Sequence, residues 1–158
     1  MQNEKLIFLD IDGVLDTYKS RYMLDPTLLT RLGNILSLTG AWIIVSSSWR
    51  SLNVPETVGF MTDYDNPRVG PNPFPFTDKV IGVTPVLFSV VDGDINRPAT
   101  RGEEIEAYLE SHPCDNYVIL DDSDEMLRDQ WPHLVLVNEE VGLTDADVEK
   151  AVSILNHK

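Results

Sequence analysis

At 158 residues, with 12 Lys and Arg against 26 Asp and Glu, the chain carries a net charge of −14. That length fits one domain, residues 1–158, with a sizeable core, and that charge argues against a broad electrostatic footprint on nucleic acid. The single cysteine, Cys114, excludes an internal disulfide and suggests a reducing compartment. No leader precedes the first apolar run, and no run approaches the roughly 20 residues that cross a bilayer, so a cytoplasmic protein without membrane contact is expected.

The first apolar run, Leu6 to Leu9, ends abruptly in Asp10 and Asp12, with Gly13 behind them. A short apolar run bounded by a turn reads as a buried strand of a parallel sheet. Asp25 and Pro26 then open a helix, as a capping side chain and a proline at the first helical position. Leu28, Leu29, Leu32, Ile35 and Leu36 recur at helical spacing, and Gly40 stops it. Ala41 to Val45 is a second buried strand running into Ser46, Ser47, Ser48, Trp49 and Arg50.

Residues 51–99 hold seven of the ten prolines and read as a loop-rich insertion, a lid near the site, with one short strand near Val80 to Val83. Thr100 and Glu103 have capping-box spacing at the head of a helix that runs to about Ser111. Tyr117 to Leu120 is another buried strand, ending in Asp121 and Asp122. A short helix is expected over Glu125 to Asp129, a last strand at Leu134 to Val137, and a final helix after Thr144. Strands alternating with helices predict a three-layer α/β fold with a doubly wound parallel sheet.

Three strands thus end in polar clusters, and in a doubly wound sheet the carboxyl ends of the strands share one edge, where ligands bind. Asp10, Asp12 and Asp122 supply hard oxygens that suit Mg²⁺. The hydroxyls and N–H groups after Val45 suit phosphate oxygens, helped by any helix that starts there. A transferring phosphoryl group also needs a cation. Arg101, at a helix start beside the sheet edge, is the natural one, with Lys79, Arg50 and Arg97 as alternatives.

Together these residues resemble the haloacid dehalogenase (HAD) superfamily, over nearly the whole chain. The likeness lies in Asp10, Asp12, Gly13 and Val14 after a strand, Ser46 after the next, a basic residue at a helix start, and Asp121 and Asp122 after a later strand. Residues 45–50, 100–105 and 118–122 look like the small HAD domain of Swiss Army Knife RNA repair proteins.

The resemblance implies a HAD-like Rossmannoid fold and a phosphoric monoester hydrolase. Asp10 would be the nucleophile, forming an aspartyl-phosphate, and Asp12 the general acid and base. The Asp10 carboxylate, the Asp12 carbonyl, Asp121 and Asp122 would hold Mg²⁺. Ser46 would bind the phosphoryl group with Ser47 and Arg50 close by. Arg101 would replace the family's more usual lysine. The short interval between Asp12 and Ser46 leaves no room for a large cap. The substrate class implied is a phosphorylated small molecule, a nucleotide or a nucleic-acid end phosphate, with a partner protein in RNA or DNA repair. Oligomeric state is not legible.

Two other functions fit parts of the pattern. A catalytically silent scaffold would keep the same residues with access blocked by 51–99. A Mg²⁺-dependent phospho-signalling receiver would carry its phosphoacceptor Asp on a middle strand, where this chain has Ser46. Asp16 and Asp124 read as solvated turn residues, and Trp49 and Trp131 as core or rim packing. Asp92, Asp94, Asn96 and Glu103 have calcium-loop spacing, but Arg97 stands where such a loop needs glycine.

Overall fold

Strand β1 (Leu6–Leu9) is buried at every residue because both of its faces meet helices. The computed structural model describes residues 4–157. Its main sheet has five parallel strands in the order β3-β2-β1-β6-β7, formed with β1 by β2 (Trp42–Val45), β3 (Val80–Val83), β6 (Tyr117–Asp121) and β7 (Leu134–Leu136). The chain winds outward from β1 through β2 to β3, then returns to lay β6 and β7 on the other side. The switch point of the sheet therefore falls between β1 and β6, beside Asp10.

The pleat divides the core in two. Ile7, Leu9, Ile43, Val45, Val118 and Leu120 pack towards α1 (Pro26–Thr39) and α4 (Asp145–Asn156). Leu6, Phe8, Ile44 and Ile119 pack towards α3 (Arg101–Ser111). Helix α1 begins as its sequence predicts, with the Asp25 carboxylate accepting from Thr27 N and Pro26 in the first turn, and it ends at Gly40. Phe8 is fully buried and meets Tyr108 and Tyr117 edge-on, at ring separations of 5.7 and 5.6 Å. Phe8→Ala is expected to cost about 3–5 kcal/mol, seen in urea titration as a lower midpoint at unchanged slope.

Two segments differ from expectation. Residues 51–99 are more than loop. Asn53 caps α2 (Val54–Thr62), accepting from Glu56 N at 2.9 Å, and β3 joins the sheet beside β2. Met61 and Val69 are fully buried and Phe74 nearly so, so this segment is part of the core rather than a detached lid. A small antiparallel hairpin, β4 (Val90–Asp92) with β5 (Ile95–Arg97), follows. It is no calcium loop, because Arg97 crosses it to bond Glu103 at 2.7 and 2.9 Å.

The helix expected over Glu125 to Asp129 does not form. Glu125 O accepts from Gly102 N at 3.0 Å, and Leu127 N donates to Gln130 Oε1 at 2.9 Å, so these groups pair outside any helix. A Cβ at Gly102 would lie 2.8 Å from Leu127 N, so glycine permits that approach. A 3-10 turn over Arg128–His133 follows instead.

Candidate active site

Sheet register assembles the site. Leu9 pairs with Val45 on one side and Leu120 on the other. The residues one step further on, Asp10, Ser46 and Asp121, are therefore neighbours. Ser46 N donates to Leu9 O at 2.9 Å and Asp10 N to Leu120 O at 3.0 Å, so the ladder fixes both backbones. Asp10, Ser46, Ser47 and Asp121 are all buried.

Asp10, Asp121 and Asp122 each place a carboxylate oxygen within 4.8 Å of the others. Gly13 makes room for this cluster. Its φ is +81°, and a Cβ there would collide with Asp122 Oδ2. Arg101 lies against the same group, 3.9 Å from Asp10 Oδ1 and 3.7 Å from Asp121 Oδ2. Among the described residues, Asp121 Oδ2, Arg101 Nη1 and Ser46 Oγ are buried without a hydrogen-bond partner. Unpartnered polar atoms of both signs on one sheet edge are what a ligand with a cationic and an anionic part would satisfy. An all-oxygen donor set fits Mg²⁺, and the hydroxyl and guanidinium fit a phosphoryl group.

Burial, then the neighbouring Asp121 carboxylate, push the Asp10 pKa up to about 9, with Arg101 opposing. Burial likewise raises Asp121 to about 6 against the pull of Arg101. Both lie above the ordinary carboxylate value of about 3.9. Without metal the folded state therefore binds more protons than the unfolded chain, and stability falls as pH rises from about 4 through these values. A divalent cation such as Mg²⁺ held by these carboxylates would compete with those protons. Its addition is expected to raise Tm more at pH 8 than at pH 5.5, by scanning calorimetry at fixed magnesium concentration. An equal rise at both values would show that the ion binds elsewhere.

The other basic candidates are engaged elsewhere. Lys79 Nζ sits over the Trp42 ring at 4.8 Å, at the opposite end of β2 from Ser46. Arg97 belongs to the hairpin. Arg50 is a buried brace: its guanidinium reaches Thr84 O at 3.0 Å, Ser47 O at 2.8 Å, Pro85 O at 3.3 Å and Glu104 Oε2 at 2.6 Å. It fixes the serine turn from behind. No helix starts there: Ser46 to Arg50 form a turn, with Trp49 N donating to Ser47 Oγ at 3.1 Å.

Asp12 stands outside the group of three carboxylates and has partners of its own. Trp49 Nε1 donates to its Oδ1 at 2.9 Å, and Arg68 Nη2 forms an ion pair with its Oδ2. Hydrogen bonds from Asp16, Trp49 and Arg68 together outweigh burial and lower its pKa.

Asp16, expected in solvent, is fully buried in the turn after β1, where its Oδ1 accepts from Gly13 N at 3.1 Å. Burial and then the adjacent Asp12 carboxylate raise it to about 8. Arg68 was not anticipated, because nothing in the sequence ties it to Asp12 across 56 positions. Trp49, expected as packing, is that and also a hydrogen-bond donor to the site. A cavity of about 520 Å³, lined in part by Asn116, His133 and His157, lies at the opposite end of the strands and has no share in this chemistry.

The family model described as "HAD domain in Swiss Army Knife RNA repair proteins" matches residues 6–148. No curated protein and no solved structure matches the chain at a significant level.

Proposed function

The chain belongs to the HAD domain family of Swiss Army Knife RNA repair proteins, and from that premise we propose that it is a Mg²⁺-dependent phosphomonoester hydrolase working through an aspartyl-phosphate. The observation that carries this reading is the set of orphaned buried atoms, Asp121 Oδ2, Arg101 Nη1 and Ser46 Oγ, gathered around Asp10. Apolar packing does not account for such a set, whereas a metal and a phosphoryl group would satisfy each member.

Asp10 attacks phosphorus through a carboxylate oxygen while the bond to the leaving alcohol breaks. Asp12 passes that alcohol a proton drawn from the neighbouring Asp16 carboxyl, then returns one taken from the water that attacks the phosphorylated Asp10. The second displacement breaks the phosphorus–Asp10 bond and returns inorganic phosphate and the starting enzyme. Ser46 Oγ and Arg101 bind the non-bridging oxygens, and Arg50 holds the Ser47 carbonyl in place behind them. Asp10, Asp121, Asp122 and the Asp12 carbonyl would hold Mg²⁺, which lowers the charge barrier to nucleophilic attack. Substrates are nucleotides or nucleic-acid end phosphates, on the family likeness. With a charge of −14, polynucleotide ends would be presented by a partner protein.

Hydrolysis of an aryl phosphate with and without Mg²⁺ tests this. Metal-dependent release of phosphate supports the assignment. Magnesium binding without turnover of aryl phosphates, nucleotides or phosphorylated ends would identify a silent scaffold instead. No helix among the described residues is long and apolar enough to cross a membrane.

A further inference from the structure

Between α2 and β3 the chain forms a turn whose bonds hold Arg68 in place. Arg68 N donates to Asn66 Oδ1 at 3.0 Å, and Val69 N and Gly70 N both reach Asn66 O, at 3.0 and 3.2 Å. From the other side, Leu24 N donates to Arg68 O at 3.2 Å. Val69 is fully buried, and Gly70 has φ +67°, where a Cβ would meet Met23 Sδ at 2.7 Å. The backbone is thus fastened on both flanks while the side chain, 48% exposed, projects over Asp12.

The guanidinium stacks on the Trp49 ring at 4.7 Å, and the same indole donates to Asp12 Oδ1 at 2.9 Å. Only Nη2 of Arg68 is engaged; Nε and Nη1 donate to nothing among the described residues. Trp49 and Arg68 also wall a groove of about 230 Å³ that is completed by Ser48, Arg50, Phe60 and Asn66. Phe60 is an exposed aromatic in that wall.

Asp12 marks the direction of the leaving group, because it is the residue that would protonate the leaving oxygen. The transferring phosphoryl group belongs on the other side, among Ser46, Arg101 and Asp10. A planar cation beside Asp12, with two donor nitrogens free, therefore faces the leaving alcohol. Guanidinium groups bind phosphate oxygens through paired N–H donors, and stacking on an aromatic ring holds the plane in orientation.

We propose that Arg68 and its groove form a leaving-group subsite for a second phosphate, so that the preferred substrate is a phosphomonoester whose alcohol already carries another phosphate. This rests on the phosphatase function proposed above. Nucleoside bisphosphates and the ends of phosphodiester chains have this chemistry; simple alcohol phosphates do not.

The test compares kcat/KM for adenosine 3′,5′-bisphosphate with that for adenosine 3′- and 5′-monophosphate. It uses the native protein, Arg68→Gln and Arg68→Lys. A charge-assisted contact of this kind is expected to favour the bisphosphate by about 10–100-fold. Glutamine should bring the ratio close to one, mainly through KM, and lysine should retain part of it. No preference in the native protein, or the same preference in the glutamine variant, would overturn the proposal and leave Arg68 as a counter-charge to Asp12.

The aryl phosphate assay reports separately on the phosphatase. If no adenosine phosphate is turned over, calorimetric titration of the same ligands with Mg²⁺ decides. Tighter binding of the bisphosphate that is lost in Arg68→Gln supports the subsite, and equal binding of all three overturns it.

Discussion

Asp10→Asn is expected to lower kcat on any phosphomonoester by ~10⁴-fold or more, the scale on which enzymes lose rate with their nucleophile. The amide has the same shape but does not displace the leaving alcohol to form an acyl phosphate. Its effect on stability should run the other way. Burial and Asp121 raise the Asp10 pKa to about 9, so at neutral pH without metal this carboxyl is held neutral. Asparagine reproduces that neutral state, so no like charge develops beside Asp121 and Asp122 as the pH rises. The metal-free variant should therefore melt no lower than the native protein at pH 7.5. Phosphate release against enzyme concentration, with calorimetry on the same samples, checks both. Full activity in the variant would sink the covalent mechanism.

Glu104→Ala should produce the largest loss of stability outside the sheet strands. Glu104 Oε2 receives Arg50 Nη2 at 2.6 Å and Leu87 N at 3.0 Å, and the Arg50 and Glu104 side chains are only 6% and 11% exposed. Removing the carboxylate leaves a buried guanidinium uncompensated and orphans a backbone donor. The cost for such a break is about 3–5 kcal/mol, or a fall in Tm of roughly 6–20 °C for a domain of this size. Because Arg50 also holds the Ser47 carbonyl, at 2.8 Å, phosphate binding should weaken as well. Replacing both partners with apolar residues should recover much of the stability and none of the brace. Urea unfolding of the two single variants and the double variant measures this. A loss under about 1 kcal/mol in Glu104→Ala would place the pair among screened surface bridges.

The central half of the site was legible because it lies where strong local signals end. A four-residue apolar strand stopping at Asp10, another stopping at Ser46 and a third stopping at Asp121 need only parallel register to meet. The capping box at Thr100 likewise located Arg101 at the start of α3. What the sequence hid depends on contacts with no local period. Helix α2 is short and mostly exposed, so its apolar positions form no stripe, although Asn53 with Pro55 was a usable start signal. Asp16 resembles any turn aspartate until the turn is seen to be buried. Arg50 is expected at the phosphate by its position after the serines, yet buried Glu104 draws it behind them. Arg68 reaches Asp12 only because the turn at Asn66 and the loop before α1 are fastened together, a long-range arrangement that proline and glycine spacing does not encode.

The two partners of that ion pair stand on ground of different firmness. Asp12 follows β1, the middle strand of five, flanked on each side by a full parallel partner. Arg68 comes from a turn outside the sheet, held by a handful of backbone bonds. Bond making is thus anchored to the central strand of the sheet, and the leaving-group contact proposed for Arg68 to a turn beside it. A lineage of such domains is free to change the exposed side chains of that turn and acquire new substrates, while buried Val69 and Phe74 keep the turn seated and the nucleophile stays where it was.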